Sequence, residues 1–177
     1  PLYSSAASDV YKRQIIPTLN FLIQQKTKII IISHVGRPKG KIVKDLSLKP
    51  VGDELKKKLN VDVKLITENI YEIKNKDFLE KFDEEILILE NIRFYEGEEK
   101  NDDKFAKHLA SLGDIYVNDA FSCSHRSHAS IQQISKHLPS FSGLQLDLEV
   151  AALNKITTEI TKPCLLYTSP SPRDLST

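Results

Sequence analysis

Apolar residues along this 177-residue chain fall into two rhythms. Short aliphatic runs stand at Ile29–Ile32, Val61–Ile66 (VDVKLI), Ile86–Leu89 and Ile115–Asp119 (IYVND). Runs of this length, rich in β-branched residues, predict strands covered on both faces. Between them the spacing changes to threes and fours. Leu48, Val51, Leu55 and Leu59 predict a helix behind Ser47 as N-cap, with Pro50 in the first turn. Phe105, Leu109 and Leu112 predict another, with Asp102 and Asp103 at its positive end and Gly113 as its stop. Ile131, Ile134 and Leu138 follow Ser127, a further candidate cap. Ile16, Leu19 and Ile23 predict a helix before the first strand, and Leu146, Val150 and Leu153 a final one.

Strand–helix alternation of this kind predicts an α/β fold: a parallel sheet with helices on both faces, in a Rossmann-like three-layer arrangement. Connections in such sheets are right-handed, and ligands bind beyond the carboxyl ends of the strands. Three positive groups lie at those ends. His34 and Arg37 follow the first run in ISHVGRPKG, Arg93 follows the third in LENIRFYEGEE, and His125, Arg126 and His128 follow the fourth in SHRSHAS. If the loops emerge on one edge, the groups converge. Guanidinium forks match paired phosphate or carboxylate oxygens. The ligand that fits is a small anion, a phosphorylated acid.

Each residue also has a plainer reading. Gly36 and Gly40 can simply shape a turn, with Lys39 and Lys41 solvated. Arg93 can be a surface residue paired to Glu90 or Glu96. His125 and His128 have no carboxylate or cysteine at ligand spacing, so no metal is assigned. Cys123 reads as a small buried hydrophobe rather than a nucleophile. Phe94 and Tyr95 read as packing, and Glu96–Lys104 as a solvated loop feeding a helix. The three positive groups weigh more together than apart, because all occupy equivalent edge positions.

Composition narrows the choice of partner. Lysine and arginine number 25 against 24 acidic residues, a net charge of +1, so no bulk field points to nucleic acid or an acidic membrane. The longest aliphatic runs are four residues, too short for a membrane span. Cys123 and Cys164 form no disulfide framework, which suggests a reducing compartment. The chain contains no methionine and starts at Pro1, as a processed product or a fragment would. Residues 1–14 and the Ser/Pro-rich 164–177 carry no period. They read as disordered tails or as foreign sequence.

Taken in order, SHVGRPKG, SLKPVGDEL, LENIRFYEGEEKND, YVNDAFSCSHRSHAS and PSFSGLQLDLEVAALNKI resemble five blocks of the phosphoglycerate kinases, at compatible spacing. The resemblance covers roughly residues 15–163. It implies the N-terminal domain of a two-domain glycolytic kinase, a monomeric cytoplasmic enzyme that interconverts 1,3-bisphosphoglycerate plus ADP with 3-phosphoglycerate plus ATP. It further implies that His34, Val35, Gly36, Arg37, Arg93 and Arg126 bind the phosphoglycerate, while Mg-ADP or Mg-ATP binds a C-terminal domain.

There are departures. The family's Asp-x-Asn first strand has no counterpart here. Tyr11 stands near the position of an arginine that meets the transferring phosphoryl group, and Arg13 falls two residues late. The Gly-Gly-x-Lys segment expected after Lys162–Leu165 is replaced by LYTSPSPRDLST. No catalytic, nucleotide-binding or metal-binding residue is therefore assigned, and the chain alone is expected to be inactive. The alternative is a non-catalytic anion-binding module that uses the same basic patch. Nucleic-acid binding through the arginines is a weaker alternative, given the net charge.

Overall fold

The computed structural model describes residues 14–158, with residues 76 and 79 described by backbone alone. Five strands form: β1 (Ile29–Ile31), β2 (Val63–Ile66), β3 (Ile86–Leu89), β4 (Tyr116–Asn118) and β5 (Ser140–Ser142). All pairings are parallel. They make two sheets rather than one, a three-stranded β1–β3–β2 and a two-stranded β4–β5. β3 is central, pairing Ile86 with Ile29 on one side and with Val63 on the other.

The helices are α1 (Ile16–Gln24), α2 (Lys49–Leu59), α3 (Lys76–Leu79), α4 (Glu96–Glu99), α5 (Asp103–Ala110) and α6 (Leu144–Thr158). Because strand side chains alternate faces, β3 feeds two cores. Ile86 and Ile88 pack with Leu19 of α1 and Leu55 of α2. Leu87 and Leu89 pack with Phe105 and Leu109 of α5 and with Ile134. The predicted three layers are thus present, with helices on both faces of the parallel sheet.

Several expectations need correction. Only β3 is buried along its whole length; β2 is an edge strand that leaves Lys64 exposed. Position 48, not Ser47, opens α2: the Ser47 hydroxyl accepts from Lys49 N and donates to Glu90. Asp102 does cap α5, accepting from Phe105 N at 2.7 Å. That helix ends at Ala110 with Ser111 as its cap, before Gly113. Immediately after Ser127 the described residues form no α-helix capped by that serine. A π-turn, Ala129–Gln133, runs into a 3-10 turn, Ile134–Lys136, with His128 at the N-cap and no side-chain cap bond. β5 was not anticipated, since its three residues are all exposed.

The predicted final helix forms as α6, and its Val150 and Leu153 are exposed together with Leu148 and Ile156. Two polar side chains anchor the start of this helix. Leu146 N donates to Asp119 Oδ1 at 3.0 Å and Leu144 N to Thr18 Oγ1 at 3.1 Å, while the Thr18 hydroxyl donates to Asp119 Oδ2 at 2.6 Å. No described helix is long and apolar enough to cross a membrane.

Candidate anion site

Two loops meet beyond the carboxyl ends of β1 and β3. Asn91 joins them and is fully buried. Its amide donates to Val35 O at 2.8 Å and to Leu46 O at 2.9 Å, and its Oδ1 accepts from Arg93 N at 3.1 Å. Glu90 adds a second tie, accepting from Ser47 Oγ, Leu48 N and Asn91 N at 2.7–2.9 Å. Backbone bonds from Ile92 N to Ser33 O and from Gly40 N to Arg93 O complete the join. Gly36 fits this turn for a steric reason. Its φ is +66°, and a Cβ there would stand 2.8 Å from Leu46 Cδ2.

Arg93 is held in the middle. It leaves β3 in a short 3-10 turn, Ile92–Phe94, and is 3 % exposed. Nη1 donates to Gly36 O at 2.9 Å, and Nε lies 3.7 Å from Glu99 Oε1. Nε and Nη2 nevertheless have no hydrogen-bond partner among the described residues. Leaving a buried donor unpaired costs about 1–3 kcal/mol, more when it is charged. Arg126, on the β4 side, is half-buried, and its Nε is unpartnered in the same way. Three guanidinium nitrogens, carrying four N–H groups, are therefore buried and unmatched among the described residues.

The electrostatics show which groups share the site. His34 is pushed down to about 4, first by burial and then by Arg93, His128 and Arg126. His128 is also lowered, by burial and then by Arg93 and Arg126. Burial pulls the Arg93 guanidinium down from its ordinary value, with Arg126 adding to that and Glu99 opposing it. At neutral pH the site therefore presents two guanidinium cations and a neutral His34 imidazole. An oxyanion would satisfy the orphan donors and relieve the mutual repulsion.

The structure brings His34, Arg93, Arg126 and His128, drawn from all three predicted groups, within electrostatic reach of one another. The Arg37 side chain is exposed on the turn. Val35 packs its side chain into the α1–α2 core and gives its carbonyl to Asn91; Gly36 gives its carbonyl to Arg93. The surface-residue reading of Arg93, paired to Glu90 or Glu96, is overturned, since the residue is buried and its acidic neighbour is Glu99. Glu96–Lys104 is not simply a solvated loop either, because it opens with α4 and buries Glu98. Phe94 is buried, and Tyr95 stacks on Phe105 at 5.7 Å, as packing residues would. Asn91 was missed as a functional residue. Its only signal was a polar pair, Glu90 and Asn91, after a strand that is wholly aliphatic. Among the described residues no group of three His, Cys, Asp or Glu side chains could hold a metal ion.

Fold and site together define a parallel α/β domain with buried, unmatched guanidinium donors beyond its strand ends. Residues 5–168 match the family model for phosphoglycerate kinase. Over 148 residues the chain is 50 % identical to the phosphoglycerate kinase of Wolbachia sp. subsp. Drosophila simulans (strain wRi), covering 84 % of this chain and 37 % of that protein. The structure of phosphoglycerate kinase from Coxiella burnetii matches with a TM-score of 0.70 and 37 % identity, over 81 % of this chain and 35 % of that one. The enzyme from Pyrococcus horikoshii OT3 matches with a TM-score of 0.72 and 25 % identity, over 88 % and 40 %. The chain belongs to the phosphoglycerate kinase family and corresponds to its N-terminal domain. It spans little more than a third of the length of these relatives.

Proposed function

We propose that this chain is the acid-substrate half of a cytoplasmic, monomeric phosphoglycerate kinase. It would hold 3-phosphoglycerate or 1,3-bisphosphoglycerate during reversible phosphoryl exchange with ADP and ATP. The observation that carries this reading is Arg93, a buried guanidinium with two unmatched donors beside Arg126 and His34. Buried cations without partners are costly, and a dianionic phosphate or a carboxylate supplies the missing acceptors. Arg37, exposed at the rim, would close over the ligand from outside. Val35 and Gly36 would shape the floor.

Phosphoryl transfer depends on alignment and charge neutralisation more than on covalent help from the protein. In this chain Arg93 and Arg126 would orient the acceptor oxygens, and a neutral His34 would donate a hydrogen bond without adding a third full charge. The residues here do not fit a magnesium nucleotide. The sequence has no glycine-rich phosphate cradle, and no described side-chain cluster suits a metal. The nucleotide therefore belongs to the remaining part of the family's architecture, and turnover is not expected from this chain alone.

Calorimetric titration with 3-phosphoglycerate tests the reading. Binding should weaken at least tenfold in Arg93→Ala and Arg126→Ala and less in Arg37→Ala. Lys107→Ala, exposed on α5, should bind as the unmodified chain does. Equal losses in all four variants, or no binding by the unmodified chain, would overturn the site. Turnover in a coupled assay, abolished by Arg37→Ala, would overturn the expectation of inactivity.

A further inference from the structure

Glu98 is a buried carboxylate that substrate binding does not explain. It is 1 % exposed and lies on α4, five residues after Arg93. Both of its oxygens are committed to one residue of another element: Oε2 accepts from Ser130 N at 3.0 Å and Oε1 from the Ser130 hydroxyl at 2.7 Å. Oε1 also lies 3.5 Å from His128 Nδ1. Ser130 sits in the first turn of the π-segment Ala129–Gln133, whose own N-cap residue makes no capping bond. Glu98 thus caps that segment from a distance. Its own position is fixed by Gly97, where a Cβ would stand 2.8 Å from Phe105 Cβ, so α4 presses closely on α5.

We propose that Glu98 is a positioning residue of the anion site, tying the turn that carries Arg93 to the loop that carries Arg126 and His128. The inference rests on the phosphoglycerate reading above. Two of the three strand-end groups have no covalent reason to keep a fixed separation, because they follow β3 and β4 in different sheets. Glu98–Ser130 is a buried, doubly hydrogen-bonded link between their two segments. A carboxylate suits that role, since it accepts from N–H and O–H together. A glutamine offers one acceptor oxygen and turns an NH2 group towards the other donor.

Several charged or titratable groups act on or face Glu98. Arg93 and Glu99 come from its own stretch, His128 from the loop and Tyr116 from β4. Burial raises the Glu98 carboxyl and the two Ser130 bonds oppose this. The Tyr116 hydroxyl is pushed up to about 12 by burial and then by Glu98, so it stays neutral.

The test compares the unmodified chain with Glu98→Gln, Ser130→Ala and the double variant, by calorimetric titration with 3-phosphoglycerate and by NMR of the His128 ring without ligand. The expected result is an affinity about tenfold lower in Glu98→Gln and a smaller loss in Ser130→Ala, with the double variant no worse than Glu98→Gln alone. The His128 titration midpoint should fall in Glu98→Gln, because a neighbouring negative charge is lost. That shift reports the Glu98 charge beside His128, whereas the non-additive loss of affinity is the change not expected of a merely structural cap. A binding wild type with an unimpaired Glu98→Gln, an unmoved His128 midpoint, or additive losses in the double variant would each overturn the proposal while leaving the functional reading intact. Absence of binding by the unmodified chain would instead overturn the functional reading, and this proposal with it.

Discussion

The depressed titration of His34 should be visible as an acid weakness of the fold. An exposed imidazole titrates near 6.5, whereas His34 in the folded chain is pushed down to about 4. At pH 8 the ring is neutral folded or unfolded and contributes nothing to the pH dependence. Below 6.5 the unfolded chain takes up a proton that the folded chain refuses, so stability falls with pH until the folded ring also charges near 4. At pH 5 linkage gives a loss of about 2 kcal/mol relative to pH 8, and solvent reaching this partly exposed ring trims it to about 1–2 kcal/mol. Equilibrium urea unfolding of the unmodified chain and of His34→Gln at pH 8 and pH 5 reads the effect. The two proteins share every carboxylate, so the difference between their pH losses isolates the imidazole. The unmodified chain should lose about 1–2 kcal/mol more than the variant. Equal losses would refute the claim that His34 is held neutral by burial and by the arginines. Saturating 3-phosphoglycerate at pH 5 should recover part of the loss, because negative charge in the site lets the folded ring accept its proton.

Three further outcomes follow from the geometry. Arg93→Met, which removes the orphan donors and keeps a flexible side chain of similar length, should leave unfolding free energy unchanged or raise it by about 1 kcal/mol while abolishing 3-phosphoglycerate binding; urea melts beside calorimetry check both halves. Asp119→Ala removes the bonds to Thr18 and Leu146 N, and should cost about 0.5–2 kcal/mol and speed amide exchange at residues 144–147. Phe105→Ala empties the fully buried centre of the α5 core, and should cost about 3–5 kcal/mol in thermal or urea unfolding.

How much of this was legible in the sequence depended on whether a feature is local. Ile86–Leu89 announced β3 because four consecutive aliphatic residues can only be satisfied between two apolar layers. Ser140–Phe141–Ser142 could not announce β5, since its side chains are exposed and only pairing with β4 makes it a strand. The meeting of His34 and Arg93 was predictable, because both follow neighbouring parallel strands of one sheet, whereas Arg126 follows β4 of the second sheet. The depth of Arg93 was not, since it depends on Asn91 and Glu90 closing two loops that lie more than 40 residues apart. Glu98 was hidden for a similar reason. In Glu96–Lys104 it looks like one charge among many, and only the approach permitted by Gly97 shows that it faces inward. The apolar spacing of α6 was legible as helical, but not which of its residues would be covered. Periodicity gives a helix its stripe but does not say which layer covers it.

The site's charge is best understood from how its carboxylates are spent. Glu98 is bound to Ser130, and Glu90 to Ser47, Leu48 and Asn91. Glu99 reaches only to 3.7 Å of Arg93 and is partly in solvent. Glu90 and Glu98 therefore hold the loops of the candidate site in place, which leaves Glu99 as the acidic neighbour of Arg93. Arg93 keeps unmatched donors, and His34 is kept from charging. Both conditions weaken the empty fold, and both are relieved by an anion that fits. A ligand that binds only the folded state stabilises it by RT ln(1 + [L]/Kd). If the proposed site binds phosphoglycerate, the arrangement that costs stability when empty would make folding and binding reinforce each other, and would favour ligands carrying several oxyanion acceptors over a single small anion.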